Sequence, residues 1–186
     1  MIISSILLGT SGEYSLFGIP VKFDLQSNTV YDFNGDGLLE NIGNFLTKNR
    51  VFNILTFGYL HTFVHEFGHA LAAKILGDSP SIEIRNGGGV TRGSNSTTFS
   101  LLSGPLANLI FSISKIFIAC AFRATIGAPL TGLIIAGSAI WIFGELFYAY
   151  YSLKNNDHGD SAKIARNGTP QLVASIAIVV TTLALS

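Results

Sequence analysis

His61-Thr62-Phe63-Val64-His65-Glu66-Phe67-Gly68-His69 holds three of the chain's four histidines. Within it lies His-Glu-x-x-His. On a helix, His65 and His69 are one turn apart on one face, so their imidazoles converge on a single metal ion, with Glu66 beside them to act as a base. That is half of a zinc hydrolase centre, because a catalytic zinc ion needs three protein ligands and one open position. His61 continues the four-residue series, but its Cα lies about 12 Å along the helix axis from that of His69. Rings so far apart do not share one tetrahedral ion, and His61 is expected as a hydrogen-bonded neighbour of the site.

Outward from this motif, residues 51 to 77 are almost wholly apolar or small, and they end at Gly77 and Pro80. One helix of that length runs about 40 Å, enough to cross a hydrocarbon core of about 30 Å with His65 near its middle. Composition agrees: 48% of the residues are hydrophobic and 12% charged, against about 25% charged in soluble domains. The expectation is an all-α membrane protein, integral and multi-pass, with about four transmembrane helices, a small β-hairpin and an N-terminal strand. Residues 1–50 form its strand and turn region, and residues 51–186 a single membrane core. The 11 basic and 11 acidic side chains cancel, and no basic run follows a phosphate backbone, so nucleic acid is not an expected partner. Cys120 has no cysteine to pair with and is expected as a buried small apolar residue. The apolar start, Met1 to Leu8, lacks the basic flank and the length of a signal peptide.

Other segments follow their local chemistry. From Pro20 to Leu25 the residues alternate at period two, which predicts a strand. Asp32-Phe33-Asn34-Gly35-Asp36-Gly37 matches the first half of a calcium loop, but Gly43 stands where the bidentate Glu belongs, and a turn into a short amphipathic helix is the expectation. Ser81-Ile82-Glu83-Ile84-Arg85, then Asn86-Gly87-Gly88-Gly89, then Val90-Thr91-Arg92 predict a hairpin. The glycines lack the Lys-Ser/Thr of a phosphate loop. Two long apolar helices are expected over residues 98–126 and 128–153, the first carrying Gly104 and Ala107 for close helix approach and Pro105 as a break in the backbone ladder. The second carries Glu145, either an intramembrane functional carboxylate or one reaching the interface among Tyr148, Tyr150 and Tyr151. A polar connector, 154–168, leads to a last apolar segment, 169–186.

The third metal ligand is not decided by these residues. No His-x-x-Gly-x-x-His follows His69, which excludes the metzincin pattern. Glu83, Glu145, Asp157, His158 and Asp160 all remain available.

Taken in order, His65-Glu66-Phe67-Gly68-His69-Ala70-Leu71-Ala72-Ala73-Lys74, the strand with Gly87-Gly88-Gly89-Val90, Ser103-Gly104-Pro105-Leu106-Ala107-Asn108, and Gly159-Asp160-Ser161-Ala162-Lys163-Ile164 resemble the site-2 protease family of intramembrane zinc metalloproteases. Phe17-Gly18-Ile19-Pro20-Val21 is similar to that family's N-terminal strand. The resemblance implies a Zn2+ ion held by His65, His69 and Asp160, with Glu66 as general base. It implies a transmembrane protein or peptide as substrate and the lipid bilayer as surroundings. Asp160 with Ile164 four residues on fits the family's aspartate motif. Two positions depart from it: Ser161 replaces the glycine after the aspartate, and Ser152-Leu153-Lys154-Asn155 stands where the family has Asn-x-x-Pro, leaving Asn155 or Asn156 as the nearest amides. These departures suit an alternative, a catalytically inactive membrane scaffold or chaperone that keeps the zinc helix; a zinc hydrolase acting on another carbonyl is a third reading.

Overall fold

The computed structural model describes residues 11–28, 41, 45, 48–155 and 159–166. Pro20 onward, the alternation produces β2 (Ile19–Asn28), whose Ile19, Val21, Phe23 and Leu25 are buried while Lys22 between them is exposed. Ahead of it runs a strand the sequence reading did not contain, β1 (Gly12–Leu16), antiparallel to β2. The two meet at Phe17-Gly18, where both residues take positive φ, 50° and 70°. Only a backbone twisted that way closes a two-residue hairpin in step with the strands' own twist.

The predicted hairpin is present as β3 (Ser81–Asn86) and β4 (Gly88–Arg92), in the register Ile82 to Thr91 and Ile84 to Gly89, with Gly87 turning the corner at φ 91°. Strand β3 also pairs with β2, in parallel, from Val21 against Ile82. The N-terminal strand and the hairpin therefore form one sheet in the order β1-β2-β3-β4. A parallel pair needs a crossover between its strands, and this crossover contains the histidine motif.

Residues 51–77 are two helices and not one: α1 (Arg50–Leu55) and α2 (Gly58–Ile75). The Thr56 hydroxyl donates to the Phe52 carbonyl at 2.8 Å, and Phe57 then turns left-handed at φ 58°. Gly58 follows, where a Cβ would collide with Asn53 and Trp141. Helix α2 sets Tyr59, Phe63 and Ala70 against Ile19, Val21, Phe23, Ile82 and Ile84 of the sheet. Burying each such large apolar side chain stabilises the fold by about 1.5–3 kcal/mol.

The opposite flank of α2 packs on α3 (Thr98–Ala121). Gly68 allows this, since a Cβ there would strike the Ser103 carbonyl and lie 2.8 Å from Ala107 Cβ. Helix α3 continues through Pro105. The short α4 (Arg123–Ile126) leads to α5 (Ala128–Asn155), and α6 (Asp160–Arg166) folds back on α5 and α3. Ser152 of α5, at the head of the departed motif, is fully buried and accepts the Ala162 amide of α6 at 3.3 Å.

Among the described residues, α3 and the Ala128–Tyr150 part of α5 are long and apolar enough to cross a membrane. Phe117 and Ile118 of α3 and Phe143 of α5 are exposed on their outer faces. Cys120 lies there too, exposed among the described residues and not buried. Helix α2 is shorter and covered by the sheet on one flank. The Asp32–Asp36 turn, Asp157, His158 and the 169–186 segment lie outside the described residues.

Candidate metal centre

His65 and His69 lie on the α3-facing side of α2, and each ring is oriented by its Nδ1. His69 Nδ1 is 2.5 Å from the Ser100 carbonyl. A carbonyl only accepts, so Nδ1 carries the proton and Nε2 of the neutral ring is left with a lone pair. His65 Nδ1 is 3.1 Å from Glu145 Oε1, and the same logic leaves its Nε2 bare when the carboxylate is ionised. The two Nε2 atoms face each other at 3.1 Å.

Asp160, the first residue of α6, completes the group. Its Oδ2 is 3.1 Å from His65 Nε2 and 3.1 Å from His69 Nε2. With both rings neutral, three lone-pair atoms thus occupy the corners of a triangle with equal edges, an arrangement that a proton or a metal cation between them relieves. Tetrahedral ligands about 2.0–2.1 Å from zinc stand about 3.3 Å apart, so the donor set and its spacing fit that ion. Close approach of α3 is part of the site: a Cβ on Gly104 would overlap the His69 ring.

Glu66 is buried, and its Oε2 accepts from Thr91 Oγ1 of β4 at 2.8 Å; the same hydroxyl is 2.9 Å from the Glu66 carbonyl. Strand β4 closes over it, with Gly89 so near that a Cβ would come 2.6 Å from Glu66 Cγ. His65, Glu66, His69 and Asp160 line one cavity of about 320 Å³, whose other walls include Gly87, Gly88, Gly89 and Val90 of the hairpin and Trp141 and Tyr148 of α5.

The remaining candidates fall elsewhere. His61 is fully buried away from the donor triangle, its Nδ1 2.7 Å from Asn108 Oδ1 and its ring stacked on Trp141 at 5.2 Å. Glu145 meets His65 at Nδ1, on the far side of the ring from Asp160. Glu83 points off the opposite face of the sheet to Arg85 and Arg92 at 3.0 and 3.3 Å. The hydrogen bond from Arg85, reinforced by Arg92, holds its carboxyl below the usual glutamate range against the cost of desolvation. Thr91, Asn108 and Ser100 are partners that the reading of motifs did not single out for the site. Asn108 had a local signal as the last residue of the Ser103–Asn108 motif, and Thr91 as the residue two after the glycine turn in the returning strand.

Residues 43–153, more than half of the chain, match the family model described as Peptidase M50B-like. The matched span includes His65, Glu66, His69, Asn108 and Glu145 and stops before Asp160. No curated protein and no solved structure matches the chain.

Proposed function

The chain belongs to the Peptidase M50B-like family, a site-2 protease family, and on that premise we propose that it is an intramembrane zinc metalloprotease that hydrolyses peptide bonds of membrane-embedded substrates. The observation that carries the reading is the convergence of His65 Nε2, His69 Nε2 and Asp160 Oδ2, which come from two elements 91 residues apart in the chain. Zinc held there supplies an acidified water, with pKa near 7, and a charge that polarises the scissile carbonyl. Glu66 accepts a proton on Oε1, because Thr91 occupies Oε2, and returns it to the leaving amine. His65 and His69 keep their Nδ1 protons throughout, donating to Glu145 and Ser100. The integral, multi-pass placement follows the family and the two apolar helices; the fourth span expected over 169–186 belongs to this reading as well.

A substrate helix must be unwound before its carbonyls can react. The β4 edge of the sheet, whose Gly88 and Gly89 follow the Gly87 turn in the cavity wall, offers backbone donors and acceptors to an extended segment laid beside it. Replacing Gly87, Gly88 and Gly89 with alanines forces the turn out of its positive φ and pushes Gly89's neighbour, Glu66. Cleavage of a helical transmembrane substrate is expected to fall sharply; undiminished cleavage would refute strand addition.

The central test is a pair of variants of the full chain in detergent. His65→Ala is expected to lose its zinc, and Glu66→Gln to keep zinc and lose turnover by about 10²–10⁴-fold. Turnover unchanged in Glu66→Gln rules the mechanism out. The departures at Ser161 and Ser152 favour a second reading, an inactive scaffold. Zinc bound by the unaltered chain, with no cleavage of any transmembrane substrate offered, is its signature.

A further inference from the structure

Behind His65 a line of side chains runs from the metal centre to the far end of α3. Glu145 Oε1 accepts from His65 Nδ1 and, by a short contact, from Asn108 Nδ2. With its amide so oriented, Asn108 turns Oδ1 to His61 Nδ1 at 2.7 Å. His61 Nδ1 therefore bears the proton, and its Nε2 lone pair receives Lys115 Nζ at 2.5 Å. Each donor has an acceptor and each choice dictates the next, so the sequence Lys115, His61, Asn108, Glu145 admits one orientation of amide and rings.

The middle of the line is insulated. His61 is fully buried between Trp141, stacked at 5.2 Å, and Phe111, edge-on at 5.1 Å. Lys115 Nζ sits 4.9 Å from the Phe111 ring. Its ends carry opposite charges: a carboxylate against the metal ligand and an ammonium at the other extreme. The intervening amide and imidazole couple the two ends through hydrogen bonds.

We propose that Glu145 is the positioning residue for His65, holding that ring with Nε2 free for metal, and that Lys115 acts on the same ring through His61 and Asn108. The inference rests on the zinc-protease reading for its metal, and its measurement is affinity for zinc, not cleavage. A histidine ligand whose ring N–H loses its carboxylate partner binds metal about 10–100-fold more weakly. Glutamine at 145 can still accept from His65 without the charge, whereas alanine cannot.

Zinc affinity is measured on the detergent-solubilised full chain by competition with a chromophoric chelator, and folding is checked by thermal unfolding. Glu145→Ala is expected to lose affinity by about 10–100-fold, and Glu145→Gln to recover part of that loss. Lys115→Met is expected to weaken zinc several-fold in the unaltered background and to add nothing in Glu145→Gln, because the two act through one line. Where Glu145→Ala fails to fold, Glu145→Gln carries the comparison. The visible spectrum of the Co2+-loaded protein should move in Glu145→Gln as the His65 ring reorients. Wild-type zinc affinity in both Glu145 variants, or an equal Lys115→Met effect in both backgrounds, overturns the proposal and leaves the protease reading standing. An unaltered chain that binds no zinc overturns both.

Discussion

The two flanks of α2 obey opposite rules. Toward the sheet, the helix presents Tyr59, Phe63 and Ala70 to an apolar core, and the charges lie outside it: Glu13 pairs in register with Lys22, and Lys22 with Glu83. Toward α3 and α5 the order reverses. The interior holds His61, His65, His69, Asn108 and Glu145, and the exterior is Phe117, Ile118 and Phe143. The first pattern is that of a domain folding in water, the second that of helices meeting lipid. One helix faces both, and it carries His65 and His69 on the side where polar groups pair with one another. The comparison shows why the motif helix is neither uniformly apolar nor amphipathic in the ordinary sense.

The contrast can be tested one flank at a time. On the polar side, Gly104→Leu drives a branched side chain into the space of the His69 ring; zinc affinity should fall by about 100-fold or more, and retention of affinity would mean that α3 can retreat without cost. On the dry side, Ile84→Ala removes a fully buried side chain from the sheet and should cost about 2–4 kcal/mol, measured by chemical denaturation in detergent. A cost below about 1 kcal/mol would show a loosely packed flank. On the wet surface beyond it, Glu83→Gln should cost no more than about 1 kcal/mol. Arg85 lowers the Glu83 carboxyl in the folded state, so its contribution is present above about pH 4.3 and is lost as pH falls through the lower folded value. The gap between wild type and Glu83→Gln in thermal unfolding should therefore close on acidification; a gap that widens contradicts the ion-pair assignment.

What could be read in advance follows from distance along the chain. His65, Glu66 and His69 declare themselves because a helical turn makes their spacing and their geometry the same thing. The hairpin was legible in its glycines, and Gly104 in its match to a small-residue helix contact. Strand β1 was not, since Gly-Glu-Tyr-Ser-Leu alternates for only five residues. Nor was the break at Phe57, a left-handed phenylalanine followed by a glycine with no room for a side chain between Asn53 and Trp141. Asp160 was one acid among several until the resemblance favoured it, and the fold placed it beside the imidazoles. Lys115 stood out only as a charge within an apolar segment, with nothing to name its partner: the residue lies 54 positions from His61, and only the packing of α3 on α2 joins them.

The donor triangle also has a history in time. His69 and Asp160 are separated by 91 residues, and a chain elongating at about 5–20 residues per second needs roughly 5–20 s to make that interval. Throughout it the two imidazoles exist without Asp160, while the residues of α3 and α5 are being added. Newly made protein thus passes through a stage with two of the three donors, and Asp160, at the start of α6, completes the set.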